Sequence, residues 1–157
     1  MQSPEILLYT DGSSRGNPGP GGYGVILHLN NTNYYKELSQ GYRKTTNNRM
    51  ELLAVIVGLE TLTKENLSVL VVSDSKYVVD SVSKGWVFGW EKKGFAGKKN
   101  PDLWKRFLKI YRKHQVKFQW IKGHSNHPMN ERCDFLAVEA SKKSKLLIDE
   151  WYEENDV

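Results

Sequence analysis

Ile6-Leu7-Leu8-Tyr9-Thr10-Asp11-Gly12-Ser13 and Val69-Leu70-Val71-Val72-Ser73-Asp74-Ser75 end alike, with a carboxylate where a short apolar run gives way to small, turn-forming residues. Runs of this length and composition read as strands. The second is apolar without alternation, as expected of a central strand covered on both faces. If the two strands lie side by side and parallel, Asp11 and Asp74 converge at the carboxyl edge of a sheet, where open α/β sheets bind their ligands. Either aspartate alone has a plain alternative as a turn or capping residue. As a pair they need a proton, a basic partner or a cation between them, because two anions beside a core repel and resist desolvation.

The surrounding chain extends this reading. Residues 16–22, rich in Gly, Pro and Asn, form a loop after the first strand. Residues 24–29 and 34–42 flank Asn30-Asn31-Thr32-Asn33 as an antiparallel hairpin, which makes the first strand part of a meander. An apolar helix runs from Asn48 to Leu62, with Asn48 and Glu51 spaced as a capping box, and its all-round apolar middle implies burial. A short helix is expected over residues 75–82. A longer one follows Asn100-Pro101, an N-cap and first-turn proline, with Leu103, Trp104, Phe107, Leu108 and Tyr111 at helical spacing. Val116, Phe118 and Trp120 alternate with polar residues as a half-buried strand, and Asn130 opens a last helix with Cys133, Leu136, Ala137 and Ala140 as its apolar stripe. The order β-β-β-α-β-α-α-β-α implies an α/β fold with a mixed five-stranded sheet, a three-stranded antiparallel meander plus two parallel strands, and helices on both faces.

Two further acids can join the aspartates. Glu51 lies in the first turn of the buried helix, where capping Asn48 is its alternative role, and Asp134 lies at the border of the last helix's apolar stripe. Four carboxylates with no soft ligand make an all-oxygen site, which suits Mg²⁺, with Mn²⁺ as a substitute, better than zinc. Two such ions roughly 3.5–4 Å apart can activate water and stabilise the departing oxygen of a phosphodiester. His124, His127 and Cys133 offer three zinc ligands within ten residues, but no fourth nitrogen or sulfur ligand is nearby and residues 123–128 read as a loop. A loop histidine beside acids can instead shuttle protons. Residues 16–24 lack the Gly-Lys-Ser/Thr ending of a phosphate-cradling loop and lead into a strand, so nucleotide binding there is rejected, while close approach of glycine backbone to a sugar-phosphate chain stays open.

Composition bounds the partners. With 157 residues, 39% apolar and 26% charged, the chain can bury one core, and a single domain over residues 1–157 is expected, with a core of about residues 4–145 and an acidic tail of about residues 146–157. The longest apolar stretch, residues 52–59, is far short of the roughly 20 needed to cross a bilayer, and the opening residues lack a secretory pattern. One cysteine, Cys133, excludes an intrachain disulfide and suits a reducing cytoplasm. The net charge of +5 includes five acids in the last nine residues. Residues 84–117 hold eleven Lys or Arg against two acids, interleaved with Trp86, Phe88, Trp90, Phe95, Trp104, Phe107 and Tyr111, a composition suited to a polyanion. A solvated helix face over core aromatics is the alternative.

Five segments together resemble bacterial ribonuclease H of type one: Tyr9-Thr10-Asp11-Gly12-Ser13, the glycine-rich residues 16–24, Thr45-Thr46-Asn47-Asn48-Arg49-Met50-Glu51-Leu52, Ser73-Asp74-Ser75, and Lys122-Gly123-His124 through Asn130-Glu131-Arg132-Cys133-Asp134. The resemblance runs in family order from residue 9 to about residue 137. It implies a ribonuclease H-like fold and an endonuclease that cuts the RNA strand of an RNA/DNA hybrid with two Mg²⁺ ions, leaving 3′-hydroxyl and 5′-phosphate ends. It further implies that Asp11, Glu51, Asp74 and Asp134 bind metal and that His124 assists turnover. Asn17, Asn47, Asn48, Ser75 and Lys76 then line the RNA strand, whose 2′-hydroxyls distinguish it from DNA. Thr46 and Asn100 resemble parts of a pocket for a DNA-strand phosphate, and Trp86 and Trp90 match groove positions that contact deoxyribose. Residues 84–99 resemble the family's basic protrusion.

The chain departs from the family at several places. Lys76 stands where glutamine is common and Lys44 where an arginine can grip the DNA phosphate. Phe95 replaces a frequent third tryptophan, and the segment between Trp86 and Trp104 is shorter. The expectation is a monomeric, cytoplasmic enzyme acting on RNA/DNA hybrids, without membrane association or an obligate protein partner. The alternatives are a noncatalytic hybrid-binding module and a DNA-cutting or strand-transferring nuclease on the same scaffold.

Overall fold

The computed structural model describes residues 3–155. Strands β1 (Ile6–Ser14), β2 (Gly19–Leu29) and β3 (Tyr35–Thr45) form the antiparallel meander. There follow α1 (Asn47–Glu60), β4 (Ser68–Ser73), α2 (Lys76–Ser83), α3 (Trp86–Lys92), α4 (Pro101–Tyr111), β5 (Gln115–Trp120), α5 (Pro128–Ser141) and α6 (Glu150–Asn155). The sheet order is β3-β2-β1-β4-β5, with β4 parallel to β1 and β5 parallel to β4. This is the mixed five-stranded sheet expected from the sequence. Val69, Val71 and Val72 are buried in β4, which is flanked by strands on both sides, whereas β5 exposes Lys117 and Gln119 along an edge that charged and polar side chains protect.

β1 runs to Ser14, four residues beyond Thr10, where the run before Asp11 ends. It stops pairing with β4 at Thr10 opposite Ser73 but stays paired with β2 as far as Ser14 opposite Gly21. The two parallel strands therefore part immediately before Asp11 and Asp74. Helices cover both faces. On one, α1 packs against Leu8 through Gly58, and its Met50 and Glu51 lie over Gly12. On the other, α5 crosses Gly22 and Gly24, where a Cβ on Gly24 would run into the carbonyl of Cys133. The glycine-rich segment is thus largely strand from Gly19 onward, and at these two positions glycine admits a helix rather than a nucleic-acid backbone.

α1 is apolar all round because β1 and β2 cover one side and α4 the other, so Met50, Leu52, Ala54, Val55, Ile56 and Leu59 are fully buried. α4 returns Leu103, Trp104, Phe107 and Leu108 to this core, with Trp104 edge-on to Phe107 at 5.5 Å and to Trp90 at 5.8 Å. Each such aliphatic or phenylalanine side chain contributes roughly 1.5–3 kcal/mol by leaving water.

Three helix starts differ from expectation. α1 is capped by Thr46, whose side chain accepts from the Arg49 N–H, so Asn48 is already helical and Glu51, the fifth helical residue, is beyond capping reach. Asn100 precedes α4 in the left-handed region (φ 61°) and makes no side-chain cap, because its amide is drawn into an interior network. α5 begins at Pro128, with His127 Nδ1 accepting from the Asn130 N–H at 3.3 Å.

Two helices, α3 in the basic aromatic segment and α6 in the acidic tail, were not anticipated. At seven and six residues they are too short to be stable alone or to display a period, and tertiary contacts hold them. α6 is tied to β3 by a two-pronged contact in which Arg43 donates to Glu153 at 2.8 and 2.9 Å. Among the described residues no helix is long and apolar enough to cross a membrane.

Candidate active site

The fork between β1 and β4 brings three acids together. Ligand oxygens of Asp11, Glu51 and Asp74 all lie within 4.8 Å of one another, with Asp11 and Glu51 buried. Glu51 reaches this point because Gly12 has no side chain, and a Cβ there would strike the Glu51 nitrogen and the Met50 carbonyl carbon. The Gly12 N–H donates to Glu51 Oε1 at 2.5 Å and to Asp11 Oδ1 at 2.9 Å. Burial, reinforced by Glu51, Asp74 and Asp134, pushes the Asp11 carboxyl up to about 11, and burial raises Glu51 to about 7. Held without a cation, the pair retains a proton. A hard divalent ion is the alternative neutraliser, and the all-oxygen donor set fits one.

The acids open into a cleft of about 390 Å³. Its other walls include Asn47 and Asn48 from the first turn of α1, Ser75 and Lys76 at the start of α2, His124 from the loop after β5, and Asp134 from α5. Asp134 therefore faces the same space from across the sheet but lies outside the three-acid cluster. Trp120 Nε1 donates to the Asp74 carbonyl at 3.0 Å, fixing the turn that carries this acid. The Lys76 ammonium lies over the Trp120 ring, 4.8 Å from its centroid, so its charge is parked on an aromatic face beside the acids. Ser75 caps α2 by accepting from the Val78 N–H, and Asn17 Oδ1 accepts from the Asn47 N–H at 3.0 Å, bracing α1's first residue against the loop between β1 and β2.

From this cleft a path leads to the basic segment. A second hollow of about 270 Å³ shares Asn48 and Tyr77 with the first and adds Trp90, Lys98, Lys99 and Asn100. A third, of about 310 Å³, shares Trp90 and Lys98 with the second and adds Trp86 and Lys93. Trp86 is 47% exposed beneath the Lys84 ammonium, and Lys98 lies over Trp90. Cation and ring thus alternate along one surface. Phe95 is buried inside the protrusion and does not line the path. Thr46 marks the start of α1 near the second hollow's Asn48 but lines none of the three hollows.

The possible zinc triad does not assemble. His127 caps α5, and Cys133 is buried with its thiol donating to the Tyr9 carbonyl at 3.3 Å, burial holding it protonated. Among the described residues the one potential metal group is the acidic one.

The RNase H family profile matches residues 3–142. The chain belongs to the ribonuclease H family. The Ribonuclease H of Desulforamulus reducens is 55% identical over 150 residues, covering 92% of each chain, and that of Rippkaea orientalis is 49% identical over 158 residues, covering 98% of this chain and 95% of the relative. Among solved structures, LC9-RNase H1, a type 1 RNase H with the type 2 active-site motif, superposes with a TM-score of 0.79 at 31% identity, covering 98% of this chain and 81% of that one. LC11-RNase H1 in complex with RNA/DNA hybrid superposes at 0.64 with 31% identity, covering 86% of this chain and 95% of that one.

Sequence reasoning gave no role to two residues, one lining these hollows and one behind them. Tyr77 lines two of the hollows, and its hydroxyl accepts from Asn100 Nδ2 at 3.0 Å and from Trp104 Nε1 at 2.8 Å. Arg49 is 1% exposed two residues before Glu51, and its partners come from the far end of the chain. Neither had a local signal, since an isolated Tyr or Arg in a helix reads as an ordinary surface residue.

Proposed function

We propose that this chain is an endonuclease that hydrolyses the RNA strand of RNA/DNA hybrids with two Mg²⁺ ions, leaving 3′-hydroxyl and 5′-phosphate ends, and that it works as a cytoplasmic monomer built from one domain. The observation that carries the reading is the cluster of Asp11, Glu51 and Asp74 at the strand fork, oxygen-only and opening onto a cation-and-aromatic path. The family relationship and the hybrid bound to LC11-RNase H1 support the choice of substrate.

In this reading Asp11, Glu51, Asp74 and Asp134 hold the cations. Bound there, the ions supply Lewis-acid stabilisation of phosphodiester charge and an acidified water. The protein's own groups do the rest. With cations bound, Glu51 and Asp11 would give up the proton that burial makes them retain, and the Gly12 N–H keeps both carboxylates oriented. An imidazole nitrogen of His124, on the exposed loop facing the acids, delivers a proton to the departing 3′-oxygen. Asn17, Asn47, Asn48, Ser75 and Lys76 follow the RNA strand, Thr46 and Asn100 the DNA phosphate, and Trp86 and Trp90 the deoxyribose faces.

The deciding experiment offers end-labelled RNA single-stranded, as duplex RNA and paired with DNA, each with Mg²⁺ and with chelator. Cleavage confined to the hybrid with metal is expected, and cutting that survives chelation or extends equally to duplex RNA overturns the reading.

A further inference from the structure

Arg49 occupies an unusual position for so polar a group. It is buried beneath the acidic C-terminal segment, and all five of its N–H donors have acceptors. Nε and Nη2 donate to Asp149 at 2.7 and 2.9 Å, Nη1 and Nη2 to Asp102 at 2.9 and 2.8 Å, and Nη1 also to Asn100 Oδ1 at 3.3 Å. The rings of Trp151 and Tyr152 lie against the guanidinium, 5.1 and 5.7 Å from their centroids. Thr45 Oγ1 donates to Asp149 Oδ2 at 2.8 Å, so the same carboxylate that grips Arg49 is itself anchored to the end of β3.

This has a chemical consequence at Asn100. Arginine only donates, so the amide atom facing it must be oxygen. The amide nitrogen is thereby turned the other way, where one hydrogen goes to the Tyr77 hydroxyl and the second is left for the hollow that Asn100 lines. The hydroxyl of Tyr77 already accepts twice, from Asn100 and Trp104, which leaves its own proton to donate. Flipped, the same amide would present a carbonyl oxygen there and repel an anion.

The geometry points to Arg49 as a positioning residue that orients Asn100 to donate to a backbone phosphate of the hybrid, held in turn by Asp149 of the acidic C-terminal segment. The segment that composition leaves without a role is on this account part of the substrate-binding apparatus. The inference rests on the proposed function, in which Asn100 belongs to the phosphate pocket.

The test measures kcat, KM for an RNA/DNA hybrid, the salt dependence of KM and the melting temperature for four full-length variants. Asn100→Ala and Asn100→Asp probe the contact itself, and Asn100→Asp keeps an oxygen for Arg49 while replacing the outward NH₂ with a carboxylate oxygen. Asp149→Asn and Arg49→Lys probe the orientation. Asn100→Ala, Asp149→Asn and Arg49→Lys are expected to raise KM about tenfold and Asn100→Asp to raise it further, with kcat within about twofold in all four, while Asn100→Ala leaves the salt slope unchanged because a neutral amide releases no counterion. An unchanged KM in Asn100→Ala removes Asn100 from the binding surface and overturns the pocket reading. A raised KM in both Asn100 variants with an unchanged KM in folded Asp149→Asn and Arg49→Lys overturns the positioning role alone. A lowered melting temperature with KM unchanged makes the network purely structural and overturns it too. Should Asp149→Asn or Arg49→Lys fail to fold, the folded one of the pair decides. Should neither fold, Asn100→Asp decides, since the inferred orientation requires it to raise KM more than Asn100→Ala does.

Discussion

The backbone N–H of Gly12 donates to Oε1 of Glu51 at 2.5 Å, across 39 positions of sequence, and this bond seats the start of α1 directly on the strand fork. The contact exists because residue 12 has no Cβ, which would otherwise meet the α1 backbone. Gly12→Ala forces the helix away from the sheet. The overpacking is expected to cost about 1–3 kcal/mol of stability. Urea denaturation measures this loss, and hybrid cleavage falls with it because Glu51 leaves the cluster. An alanine variant with wild-type stability and activity contradicts this account of the fork.

Asp11 and Glu51 make the metal-free protein sensitive to pH. Their carboxyls titrate higher folded than unfolded, Asp11 at about 11 against 3.8 and Glu51 at about 7 against 4.5. The folded state therefore binds more protons, and stability from this pair is fully present below the unfolded values and is lost as pH rises through the folded ones. Without metal, the melting temperature is expected to fall from pH 5 to pH 8, and Asp11→Asn makes that fall shallower. Mg²⁺ stabilises more at pH 8 than at pH 5. Calorimetry across this range with chelator and with Mg²⁺ checks the sign. Asp11→Asn also abolishes cleavage while hybrid binding persists, because the cation-and-aromatic hollows that grip the hybrid are lined by other residues.

Lys98 and Lys99 line the second hollow, Lys93 and Lys98 the third, and Lys92 ends α3. Replacing Lys92, Lys93, Lys98 and Lys99 with alanine weakens hybrid binding and flattens its dependence on salt, with each lost phosphate contact removing about 0.7–0.9 from the log–log slope. Fluorescence anisotropy at several salt concentrations reads this directly. A slope identical to wild type assigns the hybrid to another surface.

His124 sits on an exposed loop with φ 55°, and the adjacent Gly123 lies against the Asp74 carboxylate. Loss of a proton donor of this kind costs roughly 10²–10⁴ in rate. His124→Ala is expected to lower kcat within or near that range with hybrid Kd unchanged. Equal losses in both would make the residue a structural brace.

Lys76 and Trp120 illustrate how much of the site local reading can reach. The Asp-Ser-Lys turn after an apolar run marks the strand end and the acid, but the stacking of the Lys76 ammonium on a ring 44 positions later requires β5 to lie beside β4. Glu51 is the sharper case. Its spacing from Asn48 fits a cap, and only the presence of β1 beneath α1 turns it toward Gly12.

Apolar runs, their alternation and their turn residues determined by themselves the five strands, the three longer helices, and the fact that two apolar runs each give way to an aspartate. These signals repeat every two or three to four residues and rest on each residue's own preference for water or core. Tertiary structure alone decided which acids share a space, that Asp134 lines the same cleft outside the three-acid cluster, and that α6 covers Arg49. Those outcomes depend on pairings such as Arg49 with Asp149, 100 positions apart. A charged residue satisfied by a distant partner has the same local appearance as one satisfied by water, so burial becomes visible only when the chain closes around it.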